Sequence, residues 1–157
     1  MGKDVGDQFG VVTALVRSAF LVDAVYADTS RSYGLTAQQG QLLCVLMGRP
    51  LGMGELGGIL GLAKSSLTGL VDRCTQRGLV RREADPRDGR AVRVALTDAG
   101  GALVEEFYAE TCRRVEELPS GLTAAERDTL ADLLSRVVRD NKVPDVFLDV
   151  DEAPAGA

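Results

Sequence analysis

The residues with the clearest chemical potential lie in DPRDGR, residues 85–90, where Arg87 and Arg90 alternate with Asp85 and Asp88 around a proline and a glycine. Proline and glycine together mark a turn. An exposed guanidinium on a turn meets either solvent or an oxyanion, and its planar fork of donors matches phosphate. Between Ala63 and Arg93 stand eight basic residues (Lys64, Arg73, Arg77, Arg81, Arg82, Arg87, Arg90, Arg93) and four acidic ones, a local net of +4, while the rest of the chain carries −9. The overall charge of −5 lacks the broad basic footprint of an unspecific nucleic-acid binder. Beyond a Debye length of about 8–10 Å, however, distant acids are screened at physiological salt, so a local patch can still hold phosphate.

Other chemistries have few residues to work with. The absence of histidine removes the commonest general base and metal ligand. Cys44, Cys74 and Cys112 are odd in number and widely spaced, so neither a disulfide framework nor a metal site is expected, and no cofactor is assigned. They read as buried thiols without a resolving partner in the same chain. A cysteine enzyme would have to use Cys44 or Cys112 with no imidazole to activate it. No GxxxxGK[ST] phosphate loop occurs, and LGMGELGG follows a proline-broken helix, so it reads as a loop and a short helix. The chain is not expected to be an enzyme. MGKDVGDQFG lacks the apolar run of an export signal. The most apolar stretch, VVTALVRSAFLVDAVYA, is interrupted by Arg17 and Asp23, short of the roughly 20 residues that span a bilayer. A cytoplasmic protein without a membrane partner is the expectation.

The elements that must position the arginines follow from apolar spacing. With 45% hydrophobic residues but only 4% aromatic and no Trp, the core has to be built from Leu, Val and Ala. From about Asp7 to Tyr33, Val12, Leu15, Val16, Ala19, Phe20, Val22 and Tyr26 recur every three or four residues, predicting one long helix that Gly34 ends. TAQQ at Thr36 is a capping box for a second helix through Leu42, Leu43, Val45 and Leu46. Two short helical patterns follow, Leu56/Ile59/Leu60 and Leu67/Leu70/Val71/Cys74, separated by Gly61 and Leu62; this is helix-turn-helix spacing. Gly78 closes the second of them. LVRREA and AVRVALT read as strands around the DPRDGR turn, with Val92, Val94 and Leu96 facing one side. Thr97 or Asp98 caps a helix carrying Leu103, Phe107 and Val115. TAAE at Thr123 opens a last helix through Leu130, Leu133, Leu134, Val137 and Val138. Residues 143–157 show no period and read as a flexible tail.

With Leu67, Leu70, Val71 and Cys74 turned inward, the helix that begins near Lys64 presents Lys64, Ser65, Ser66, Thr68 and Arg73 outward. Short hydroxyls at a helix N-terminus can approach base edges, and the free amides there favour phosphate. Ser65 or Ser66 can equally serve as the helix cap.

The stretch ELGGILGLAKSSLTGLVDRCTQRGLVRREADPRDGRAVRVALTDAG resembles the winged helix-turn-helix core of the MarR (multiple antibiotic resistance regulator) family. The resemblance implies a mainly α fold with a small β-hairpin wing. It divides residues 1–142 into a winged helix-turn-helix over about 35–100 and dimerisation helices at 7–33 and 98–142. It also implies a homodimer on double-stranded DNA with a pseudo-palindromic operator. The wing pattern D-x-R-D-x-R falls on Asp85, Arg87, Asp88 and Arg90, implying Arg90 in the minor groove, Asp88 orienting the arginines and Arg87 near the backbone. Gly69 stands where family members often carry a larger polar or basic residue. The hydroperoxide-sensing branch keeps its reactive cysteine in the first helix, where this chain has none. A regulator, a repressor released by a small-molecule effector, is therefore expected over a thiol-based redox sensor or a winged-helix protein-interaction module. Arg17, interrupting the apolar first helix, is a candidate partner for an effector carboxylate or for a surface salt bridge.

Overall fold

The structure, a computed structural model, describes residues 8–143. In chain order these form α1 (Val11–Ser32), α2 (Ala37–Leu46), β1 (Leu51–Gly52), α3 (Met53–Leu60), α4 (Lys64–Gln76), β2 (Val80–Asp85), β3 (Asp88–Leu96), α5 (Asp98–Glu117) and α6 (Ala124–Arg139). The expected order of helices and hairpin is present, with one addition. Leu51–Gly52 pairs antiparallel with β3, Leu51 opposite Val94, giving a three-stranded sheet in the order β1-β3-β2. Two residues are too short a run for an alternating pattern, so the glycine-rich stretch showed only its loop and helix. The first helix begins at Val11, behind an extended Gly10, and not near Asp7 as its spacing predicts; the 143–157 tail, apart from Val143, lies outside the described residues.

Local chemistry sets the boundaries. Thr36, Thr97 and Thr123 cap α2, α5 and α6, their hydroxyls accepting from the amides of Gln39 at 3.1 Å, Gly100 at 3.0 Å and Glu126 at 3.3 Å. Gly34, Gly61 and Gly78, at φ of +66°, +64° and +73°, close α1, α3 and α4. After each, the next amide reaches five residues back (Leu35 to Ser30, Leu62 to Gly57, Leu79 to Cys74), satisfying carbonyls that the helix end would leave free.

The core is aliphatic, with Leu42, Leu43, Leu56, Leu67, Leu70, Val71, Val94 and Val104 fully buried. Three aromatic side chains meet at the seam of α1, α2 and α5. There Tyr26 and Tyr33 each place their rings 6.1 Å from the fully buried Phe107. The start of α5 lies directly on the strand that leaves α4: Thr97 donates its amide to the Leu79 carbonyl and its hydroxyl to the Gly78 carbonyl. A side chain at Gly100 would collide with that same Leu79 carbonyl.

Two expectations need correcting. Val92 does not join Val94 in the core; it is 48% exposed, because at that point the hairpin has left the body of the protein. Ala95 at the hairpin root is buried instead. Cys112 is only half-buried, unlike Cys44 and Cys74.

The terminal helices present apolar surface to the outside. Val11, Val12, Leu15, Val16, Phe20 and Leu21 of α1 are exposed, as are Leu130, Leu133, Leu134, Val137 and Val138 of α6, a helix with no buried residue. No helix among the described residues is long and apolar enough to cross a membrane.

Candidate nucleic-acid interface

α4 begins behind Ala63, which has no side chain able to cap. Its first helical hydrogen bond runs from the Leu67 amide to the Ala63 carbonyl at 3.0 Å, leaving the amides of Lys64, Ser65 and Ser66 outward and unpaired. The capping alternative for the serines is thereby corrected: both lie inside the first turn, exposed. The threonine caps of α2, α5 and α6 each satisfy one first-turn amide, whereas α4 has no side-chain cap, so its first-turn donors and dipole are available to an external anion. One turn on, the Thr68 hydroxyl donates to the Lys64 carbonyl at 2.8 Å, which fixes its rotamer and leaves its oxygen free to accept.

The eight basic residues of this region separate into two groups. Arg77 donates to the Gly34 carbonyl at 2.8 Å and to Gln39 Oε1 at 3.1 Å, tying the end of α4 to the α1–α2 turn. Arg82 reaches Asp72 Oδ1 at 2.6 Å, bracing β2 against α4. Arg81 and Arg93 both grip Glu83, at 3.2 and 2.6 Å, and their donated hydrogen bonds hold its carboxyl below the usual range, Arg93 contributing most. Lys64, Arg73, Arg87 and Arg90 make no side-chain hydrogen bond or ion pair among the described residues, and all four are exposed. They stand on the outer face of α4 and at the tip of the hairpin.

The wing is built to aim its arginines. Asp85 pairs with Asp88 around a two-residue Pro86-Arg87 turn, shorter than the six-residue turn read from the sequence. The next pair is Ala84 with Val92, so Gly89, Arg90 and Ala91 bulge out of register. A bulge of this kind re-aims a side chain and increases local twist. Asp85 Oδ1 accepts the Arg87 amide at 2.8 Å, and Asp88 Oδ1 accepts the Arg90 amide at 3.0 Å. Asp88 therefore orients Arg90 through the backbone rather than by gripping its guanidinium, and Asp85 does the same for Arg87. The repeated D-x-R spacing carried this signal, since an aspartate readily accepts the amide two residues on. The bracing pairs Asp72–Arg82 and Gln39–Arg77 join residues 10 and 38 apart, and no local spacing announces them.

Arg17 lies elsewhere, on the exposed face of α1, 4.6 Å from the Phe9 ring centroid in a surface groove lined also by Ala14, Ser18, Phe20 and Leu21. It stacks on an aromatic ring in place of a salt bridge. The thiols sit in the interior. Burial pushes the Cys44 thiol up to about 12, with a further rise from Cys112, against which a hydrogen bond from Tyr26 acts only weakly. Cys44, Cys74 and Cys112 are all free thiols. Burial also raises Cys74 despite Arg77 and Arg73 nearby. No cluster of potential metal ligands occurs among the described residues.

The MarR family model matches residues 33–91, from the end of α1 to just past Arg90. The transcriptional repressor NicR of Pseudomonas putida is 32% identical over 138 residues, covering 86% of this chain and 85% of NicR. This chain belongs to the MarR family. The likeness extends to the three-dimensional structure. A cysteine-to-serine mutant of E. coli MarR, complexed with operator DNA, superimposes with a TM-score of 0.67 at 26% identity over 87% of this chain and 99% of that one. Bordetella bronchiseptica BpsR, solved in a study of how 6-hydroxynicotinic acid regulates its DNA binding, gives a TM-score of 0.67 at 27% identity over 90% and 100% of the two chains. As a MarR-family winged helix-turn-helix protein, the chain is a DNA-binding transcription regulator and not an enzyme.

Proposed function

We propose that residues 1–142 act as one unit, a homodimeric cytoplasmic repressor that binds a pseudo-palindromic operator and is released by a small-molecule effector. The observation that supports the DNA-binding geometry is the coincidence of the four cations that make no side-chain hydrogen bond or ion pair among the described residues with the outer face of α4 and the tip of the wing. In this reading Lys64, the free amides of the first turn, Ser65 and Ser66 take phosphate. Thr68 and Arg73 face the major groove, and Arg87 follows the backbone. Arg90, carried outward by the bulge, enters the minor groove.

The exposed apolar faces of α1 and α6 supply the dimer contact. Two sets of α4 then fall about one helical turn apart, so half-site centres lie about 10–10.5 base pairs from each other. The effector reading draws on BpsR and 6-hydroxynicotinic acid. It places a small apolar or anionic molecule between the terminal helices and the winged lobe, with a coupling of about 1–3 kcal/mol to DNA binding. Arg17 is the candidate for a carboxylate partner. Redox control is disfavoured because both buried thiols are held protonated.

The test is binding to a duplex selected from a randomised pool, followed by insertion of half a helical turn between the half-sites. Affinity should collapse on insertion. Undiminished affinity overturns the dimeric geometry, and failure to enrich any sequence overturns specific DNA binding.

A further inference from the structure

Gly69 lies on the outward face of α4, in the middle of a helix where glycine is less favourable than alanine. A methyl group built there would meet a single neighbour, Arg73 Nη1, at 3.3 Å. Arg73 is the residue one turn further on, and helical side chains lean back toward the N-terminus. Its guanidinium therefore lies across the space that a side chain at 69 would fill. That aims it toward the turn carrying Ser65 and Ser66. Arg73 is exposed and has no ion-pair or hydrogen-bond partner among the described residues; the adjacent acid, Asp72, is taken by Arg82 at 2.6 Å.

We propose that Gly69 is a positioning residue whose missing side chain lets Arg73 lie along the reading face of α4, where its guanidinium recognises the O6 and N7 of a guanine in each operator half-site. The proposal rests on α4 being the element that enters the major groove. A bidentate arginine–guanine pair needs both guanidinium donors presented side by side. An arginine without an internal partner can supply them at no cost in broken protein contacts. Ser65 and Ser66, the first-turn residues nearest to position 69 around the helix, are small and leave the guanidinium room to reach base edges. The glycine thus costs the helix some stability and supplies a groove for the arginine.

The experiment uses the full chain and the duplex that the wild type enriches from a randomised pool, together with variants of that duplex in which each base pair is replaced in turn. Wild type should prefer G·C at one position of each half-site by about fivefold to a hundredfold, and Arg73→Ala should abolish that preference while leaving preferences elsewhere in place. Gly69→Ala should erode the preference at the same position by about twofold or more, yet raise Tm by about 2–4 °C through helix propensity. A purely structural glycine would give the Tm rise without the loss of discrimination. In the Arg73→Ala background, Gly69→Ala should have no further effect on base preference. Gly58→Ala, at an α3 glycine with open space around it, controls for helix propensity and should leave the preference intact. Equal erosion with and without Arg73, or a guanine preference that survives Arg73→Ala, overturns the proposal. Neither result touches the wider DNA-binding reading, which fails only if the wild type enriches no sequence at all.

Discussion

Replacing Asp88 by alanine sets two effects of opposite sign against each other. The carboxylate is a negative charge near the wing tip, so its removal strengthens attraction to DNA phosphates. At about 10 Å in water a pair of unit charges interacts by about 0.4 kcal/mol, and physiological salt cuts that to a fraction. The same carboxylate accepts the Arg90 amide at 3.0 Å inside a bulge whose residues have no cross-strand partner. Losing that bond costs about 0.5–1.5 kcal/mol of local order, and the freed backbone must be fixed again when DNA binds. Local order therefore outweighs charge by several-fold, and with one wing per protomer the operator complex should weaken by about 1–3 kcal/mol. Asp88→Asn retains an oxygen that can accept the amide while removing the charge, so it should bind as tightly as wild type or slightly better. Fluorescence anisotropy with the selected duplex, at fixed salt, measures both. Tighter binding by Asp88→Ala than by Asp88→Asn would refute the argument that the aspartate works by holding the backbone.

Arg90→Ala should weaken operator binding by about 1–3 kcal/mol per contact with Tm unchanged, because the side chain is exposed and makes no internal bond; a Tm fall of several degrees would make it structural. Gly100→Ala should destabilise the fold by about 1–3 kcal/mol or more, read by urea denaturation, since the added methyl collides with the Leu79 carbonyl that also accepts the Thr97 amide. Phe20→Glu combined with Leu133→Glu should convert the dimer to a monomer in sedimentation analysis, as both side chains are at least half exposed on the apolar faces of α1 and α6. Peroxide should not release the wild type from its operator any more than it releases a variant with Cys44, Cys74 and Cys112 replaced by alanine. The Cys44 thiol, pushed up to about 12, stays protonated when folded. Its folded value lies above the unfolded one, so its stability contribution is intact below pH about 8.5 and is lost as pH rises toward 12.

The fold was legible where local chemistry decides it. Thr36 and Thr123 as capping boxes, Gly34, Gly61 and Gly78 as left-handed helix ends, and the inward set Leu67, Leu70, Val71 and Cys74 are each specified within a few residues of chain. β1 and the exposure of Val92 were not, and for the same reason: both depend on where β3 meets something distant. Leu51 is a strand residue only because Val94 lies opposite it, and Val92 is outside the core only because the hairpin has by then left the body of the protein.

The site divides along the same line. Composition marked eight cations in one region, but which of them serve DNA depends on which already serve the protein. Arg77 is spent on Gly34 and Gln39, Arg82 on Asp72, and Arg81 with Arg93 on Glu83. Three of those four ties cross between elements, beyond the reach of spacing rules. Arg73 shows how little sequence distance settles. It directly follows the acid that pairs with Arg82, yet its own guanidinium turns back over Gly69, where the absence of a side chain lets it lie. An arginine that braces the wing and an arginine left without an ion pair are the same residue type a few positions apart. What separates them is whether a carboxylate or carbonyl of this chain stands within reach.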